Sequence, residues 1–488
     1  MEYFVLEKLK QEVYPGINQF GGLTGCGTNH YLIEAWDYIL ETLDSEGTAV
    51  NLISIDFAKA FNSMSHQACV KSLEDRGASV HMTRLVGSFL TNRQMQFKAG
   101  EEMSSKRTLR GGSPQGTLLG NFMFVMTTDQ LEKRNHGSAP TSTPVREGES
   151  RPFLPGETQT TSGDESDISS RSYPQLDSTG DSFVYMRHCR KPFNRLDDTD
   201  YSLLYDIRGR SSDEAISTLK DLSVLKYVDD FLGCEAMSLK SGFTVMTERK
   251  TNRFLHAKGS EEFFNTVDER CSEIGMKVNS EKTQLLTISP ATTENVSSYI
   301  KTRGGDMIQS QETLMILGFV FGRRPSVQPH LDHLANKFRT RLWSIRHLKF
   351  AGLPEEDLLR LYQVLILPVL DYGAVVYHSQ LNNEQTTMLE KLQTNALKVI
   401  YGFKLSREEI TRKCGIESLW ERRERLMQKF VEKQAKNPRF ADIWFPQKTF
   451  HHMDLRKELI YEEKFAKTDR LYKSPKYHMR RRLNGGLS

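Results

Sequence analysis

Two adjacent carboxylates, Asp229 and Asp230, stand between apolar runs in LKYVDDFLG, and no other feature limits the fold as tightly. Like charges flanked by hydrophobic residues are costly to bring together unless solvent or a cation relieves them. Leu222 to Cys234 reads as strand, turn, strand, so the pair is expected at the tip of a tight hairpin. A second segment, NLISIDFAKAFNSM, delivers Asp56 from the end of a β-rich run, Ala49 to Ile55, just before helix-forming residues. One acid from that strand and two from the hairpin suit Mg²⁺, which takes hard oxygen ligands and few carboxylates when substrate phosphates complete its octahedron. The plainer reading is a solvated turn and an unrelated aspartate.

Between these segments stands LRGGSPQGTLLGNFMF, with glycines and a proline clustered before an apolar helix. A glycine-rich turn admits close backbone approach to a substrate. Its plainer reading is a loop-to-helix junction in which Ser113 caps a helix that begins at Pro114.

The 488 residues allow two or three domains. With 38% hydrophobic and 26% charged residues the composition is that of a soluble globular protein, and a mean hydropathy of -0.52 points to one unusually polar part. That part is Gly137 to about Asp181, for example STPVREGESRPFLPGETQTTSGDESDISS, which buries too little apolar surface to offset its ordering entropy. From Arg323 onward, 32 Lys and Arg face 19 Asp and Glu, a net of +13, so the preceding residues carry −9 of the chain's overall +4. A basic half following an acidic one suits a lobe laid along a phosphate backbone; solvated helix faces are the plainer reading. The six cysteines form no CxxC or Cys/His cluster, so neither a disulfide framework nor a zinc knuckle is expected. Val364 to Tyr377 is broken by Pro368 and Asp371, and no signal pattern opens the chain, so no membrane partner and a nuclear or cytoplasmic location are expected.

The three segments together resemble the reverse transcriptases of non-LTR, LINE-type retrotransposons, whose FAKAF-like, SPQG and YxDD boxes occur here in that order. INQFGG, Ile17 to Gly22, resembles the box before the first catalytic strand, and LMILGFVFG, Leu314 to Gly322, the primer-gripping hairpin. LILPVLDYGAVVY and a helix ending ALKVIYG resemble the helical thumb and connection. The resemblance implies an α+β right-hand polymerase palm, an antiparallel sheet with helices, joined to partial fingers and an α-helical thumb. The expected divisions are 1–136, partial fingers and first half of the palm; 137–215, a disordered insertion; and 216–325, second half of the palm with the YVDD hairpin and primer grip. Residues 326–440 are expected as thumb and connection, and 441–488 as a basic tail, with Arg480 to Arg482 read as solvated.

Residue by residue, the resemblance makes Asp56 and Asp229 metal ligands with the backbone carbonyl of Phe57, and Asp230 the supporting acid. Phe61 is implied to select deoxynucleotides, Gln115 and Gly116 to contact the nucleotide, and Tyr227, Leu317 and Gly318 to contact the primer. Lys282 resembles the lysine that protonates pyrophosphate; a solvated surface lysine is its plainer reading. The implied cofactor is two Mg²⁺ ions, with Mn²⁺ as a substitute, and the partners are an RNA template, a DNA primer and dNTPs, with the nicking endonuclease a separate unit. Few residues precede INQFGG, which motivates an alternative: a truncated or domesticated remnant that binds nucleic acid without polymerising. An RNA-dependent RNA polymerase is a third reading, opposed by YVDD where GDD is usual and by Phe61.

Overall fold

The computed structural model describes residues 2–16, 18–129, 131, 222–239, 243–246, 251–290, 294–447, 460–463 and 465–485. The insertion expected at 137–215, Ile17 of the INQFGG box and Cys189 lie outside them.

One eight-stranded sheet organises the described residues. Its strands are β1 Thr48–Ile55, β2 Leu222–Tyr227, β3 Asp230–Ser238, β4 Phe243–Met246, β5 Thr251–His256, β6 Gln284–Ile288, β7 Glu294–Lys301 and β8 Met307–Gln311, in the spatial order β2-β3-β1-β6-β8-β7-β5-β4. Segments on both sides of the insertion therefore contribute to one sheet. Strand β1 is apolar on both faces, and alternation divides it. Val50 and Leu52 enter one hydrophobic core, while Ala49, Ile53 and Ile55 enter the other. A strand so buried must pair on both edges, because no water reaches its N–H and C=O groups. It does so antiparallel, with β3 from Thr48↔Ser238 to Ile55↔Phe231 and with β6 from Val50↔Ile288 to Ser54↔Gln284.

The α+β architecture agrees with the sequence reading. The half of the sheet around β1 is antiparallel, but β6–β8 and β5–β7 run parallel, so the sheet is mixed where a purely antiparallel one was expected. Helix α1, Thr28–Thr42, covers one face together with the C-terminal helices, and α2, Leu118–Thr128, and α3, Lys258–Glu273, cover the other. A separate hairpin, Thr313–Ile316 with Phe319–Gly322, follows the sheet.

Beyond it the chain is helical: α4 Gln328–Phe350, α5 Glu355–Leu361, α6 Asn383–Tyr401, α7 Arg407–Cys414 and α8 Leu419–Ala435. Capping boxes set three of the starts, from Asn382 with Gln385, Ser406 with Glu409 and Ser418 with Glu421. From α5 the chain runs on through a π-helical turn, Tyr362–Ile366, into a further helix, Leu367–Asp371. The wider π turn accommodates Pro368, which donates no N–H.

The solvated reading of Arg480 to Arg482 does not hold. Helix α9, Pro475–Leu483, packs with Tyr477 and Met479 buried. Arg480 donates Nε to the Trp444 carbonyl at 2.7 Å, Arg481 stacks over Tyr472 and Arg482 pairs with Glu424. Each guanidinium has an acceptor or a ring, which is what permits burial.

Candidate active site

The hairpin β2–β3 pairs Tyr227 with Asp230, so Val228 and Asp229 form its two-residue tip. One step beyond Ile55↔Phe231, the register between β1 and β3 sets Asp56 opposite Asp230. Alternation places both on the same side of the sheet. Phe57 and Phe231 meet on the other side, edge to face at 5.0 Å. The three acids are thus gathered where the end of β1 meets the tip of the β2–β3 hairpin, and their titration reflects it. Asp230 is pushed up to about 6, by burial first and then by the charges of Asp229 and Asp56. Asp229 is raised by partial desolvation and by Asp56.

Val228 holds φ at 58°. A β-branched residue in the left-handed region costs about 1–3 kcal/mol and persists only where surrounding structure over-determines it. Part of that structure is INQFGG. Phe20 N–H donates to the Lys226 carbonyl at 2.8 Å, and Lys226 N–H donates to Asn18 C=O at 2.9 Å. Gly21 then passes so near the tip that a Cβ would stand 2.6 Å from the Val228 nitrogen.

The turn after β1 is held from two sides. Asn279 N–H donates to the Asp56 carbonyl and Ala58 N–H to that of Lys277, both at 2.8 Å. Phe57 lies between these bonds, opposite Val278, so its own carbonyl faces away from Val278, toward the β3 edge. The same contact brings in Lys282, whose Nζ lies 3.9 Å from Asp56 Oδ2. Both side chains are exposed, so the pair contributes little stability.

The glycine loop covers the turn from the other side. Ser113 N–H donates to Phe61 C=O and Gly112 N–H to Met64 C=O, each at 2.7 Å. A Cβ on Gly112 would meet both the Phe61 and Asn62 carbonyls at 2.8 Å. Helix α2 does not begin at Pro114 under a Ser113 cap: it begins at Leu118, capped by Thr117. Ser113 instead donates Oγ–H to Gly120 C=O at 2.6 Å. The backbone bonds to Phe61 and Met64 hold the loop against the turn after β1, and Gln115 and Gly116, in a tight turn with Gly116 at φ 79°, are exposed at its crest. Phe61 is half-buried and stacks on Phe124, ring centres 4.2 Å apart.

Tyr227, Leu317 and Gly318 come together through Tyr372, which the sequence reading passed over. The Tyr372 hydroxyl donates to the Leu317 carbonyl, and a Cβ on Gly318 would lie 3.2 Å from the Tyr372 ring. Tyr227 titrates above its usual range, through burial first and then through Tyr372. The LDYG string was the available signal. Also missed were Arg93 and His66, which converge on the Gly112 carbonyl, and the buried Lys226–Asp129 pair.

Among the described residues no three acid, histidine or cysteine side chains already enclose a metal ion. The donor chemistry nonetheless fits a hard divalent cation. Three mutually repelling carboxylates, two with raised pKa values, sit beside a backbone carbonyl, and such acids ionise more readily once a cation offsets their charge.

No family model matches the chain. Over 95 residues it is 27% identical to the retrovirus-related Pol polyprotein from type-1 retrotransposable element R2 of Popillia japonica. The chain resembles a retrotransposon Pol polyprotein. The alignment with that Pol polyprotein takes in 20% of this chain and 16% of the relative, and agrees with the resemblance carried by the three boxes. Solved structures of telomerase are similar too. That of Candida tropicalis with a TWJ fragment of telomeric RNA has a TM-score of 0.35 at 10% identity, covering 90% of this chain and 55% of that one. That of Candida albicans with a TWJ fragment has a TM-score of 0.32 at 10% identity, covering 90% and 54%.

Proposed function

We propose that the chain is an RNA-directed DNA polymerase of retrotransposon origin, transferring a nucleotide from a dNTP to a primer 3′-hydroxyl. The carrying observation is the convergence of Asp56, Asp229 and Asp230 where β1 meets the β2–β3 hairpin. Asp56, Asp229 and the Phe57 carbonyl would hold two Mg²⁺ ions, with Asp230 in support. When bound, the ions lower the pKa of the attacking hydroxyl and neutralise charge on the phosphates. Lys282, beside Asp56, would give a proton to departing pyrophosphate. Gln115 and Gly116 present the glycine loop to the incoming nucleotide, and Phe61, backed by Phe124, excludes a ribose 2′-hydroxyl. Tyr227, Leu317 and Gly318 form the primer contact. The exposed face of α4, with Lys337, Arg339, Arg346 and Trp343, supplies cationic and stacking contacts for the template–primer duplex.

The test is single-nucleotide incorporation on a primed RNA template with Mg²⁺, comparing dNTP with rNTP. Wild type is expected to extend the primer with dNTP, and Asp229→Ala to lose at least about a thousandfold in rate. Equal activity in Asp229→Ala refutes the assignment. Salt-dependent binding of primed template without incorporation favours the remnant that binds and does not polymerise.

A further inference from the structure

The strained tip at Val228 raises the question of what fixes the strand leading to it. Lys226, two residues earlier, is wholly buried. Its Nζ donates to the Asp129 carbonyl at 2.6 Å and to Asp129 Oδ1 at 2.9 Å. Asp129 Oδ2 accepts from Arg76 Nη2 at 2.6 Å and from Gly16 N–H at 2.8 Å. Arg76 also donates to Tyr14 C=O at 3.2 Å. Through its main chain Lys226 is bonded to Asn18 and Phe20. One residue of β2 is therefore tied to the end of α2, to the end of helix His66–Glu74 and to the segment that seats Gly21 against Val228.

A buried ammonium is costly to desolvate, and buried ion pairs are often replaceable by apolar residues of similar volume without loss of stability. Stability alone therefore gives no reason for a lysine between Leu225 and Tyr227 in this strand. What the pair supplies, and an apolar side chain would not, is a fixed direction. Two acceptors on one residue set the height of β2 relative to α2, and with it the position of Asp229 and Asp230 relative to Asp56. We infer that Lys226 and Asp129, steadied by Arg76, are positioning residues that hold the carboxylate hairpin in its working register. This rests on the polymerase reading above.

Lys226→Met tests it, because Asp129 keeps Arg76 and Gly16 as partners and no bare charge is stranded. Single-nucleotide incorporation should show kcat lower by about 10- to 100-fold with the dNTP KM within about twofold, since a small displacement of catalytic groups acts on the chemical step. The Mg²⁺ concentration for half-maximal rate should rise, and Mn²⁺ binding, read by electron paramagnetic resonance, should weaken. Val431→Ala, in the core of α8, serves as a variant of lowered melting temperature with kcat retained. If Lys226→Met does not fold, Lys226→Gln, which keeps a donor to the Asp129 carbonyl, replaces it in the same comparison. Wild-type kcat and Mg²⁺ dependence in the Lys226 variant overturns the inference, as does a kcat loss that Val431→Ala reproduces at equal melting temperature. If the wild type incorporates nothing, the polymerase reading fails and Mn²⁺ affinity decides this one: weaker binding in the variant sustains it, and equal binding overturns it.

Discussion

Gly21 and Asp37 show how a single position constrains this molecule from opposite directions. At Gly21 the obstacle is backbone: an added Cβ would stand 2.6 Å from the Val228 nitrogen, and a main-chain atom in a two-residue tip held by paired strands cannot swing aside. Gly21→Ala should displace the hairpin tip, costing about 1–3 kcal/mol in urea unfolding and at least about tenfold in incorporation rate. Asp37, on α1, is buried, and among the described residues no donor closes a hydrogen bond of ordinary geometry to either carboxylate oxygen. Ser474, Lys476 and Glu41 are nearby, and burial above all pushes its carboxyl up to about 7. Its folded value lies above the unfolded one, so its contribution to stability is full below about pH 4 and is lost as pH rises through about 7. Thermal unfolding between pH 5 and 8.5 should show wild type losing ground against Asp37→Asn, and parallel curves would contradict this. The acids of the site are legible in the sequence because their neighbours mark them: an apolar run before Asp56, and apolar runs on both sides of Asp229 and Asp230. Nothing local marks Lys226 as the partner of a residue 97 positions earlier.

At the level of elements, strand β1, the hairpin and the helices α4, α6, α7 and α8 are readable because alternation and helical spacing belong to the element itself. What escapes is set by contacts between elements. Helix α2 starts later than its local signals suggest because the glycine loop spends its N–H groups on Phe61 and Met64. Helix α9 buries Arg480 and partly buries Arg482 because Trp444 and Glu424 are there to receive them. Both ends of the connection between α2 and β2 are held by the Lys226–Asp129 pair, and loop-closure cost changes slowly with length. Replacing residues 137–215 by a Gly/Ser linker of about ten residues should therefore leave kcat within about threefold of wild type. Steady-state incorporation by the two proteins at equal concentration measures it, and a hundredfold loss, about the effect of a misplaced catalytic group, would show that the replaced residues act on the site.

For the whole molecule, charge segregation predicts how binding responds to salt. The residues from Arg323 onward carry +13, and Lys337, Arg339 and Arg346 are exposed on one helix. Changing those three to Gln should weaken binding of a primed template and reduce the slope of log K against log salt by about 2–3; fluorescence anisotropy from 50 to 300 mM salt, about the span over which such contacts dominate, tests it, and an unchanged slope places the duplex elsewhere. The position of β1 has a consequence for biosynthesis. Asn51 lies 186 residues ahead of Met237, its neighbour on β3. At about 5–20 residues per second a ribosome takes roughly 10–40 s to supply that partner. Throughout that interval a strand apolar on both faces has left the exit tunnel with neither edge paired. The yield of this protein should therefore depend on chaperone supply during translation more than on the stability of the finished fold.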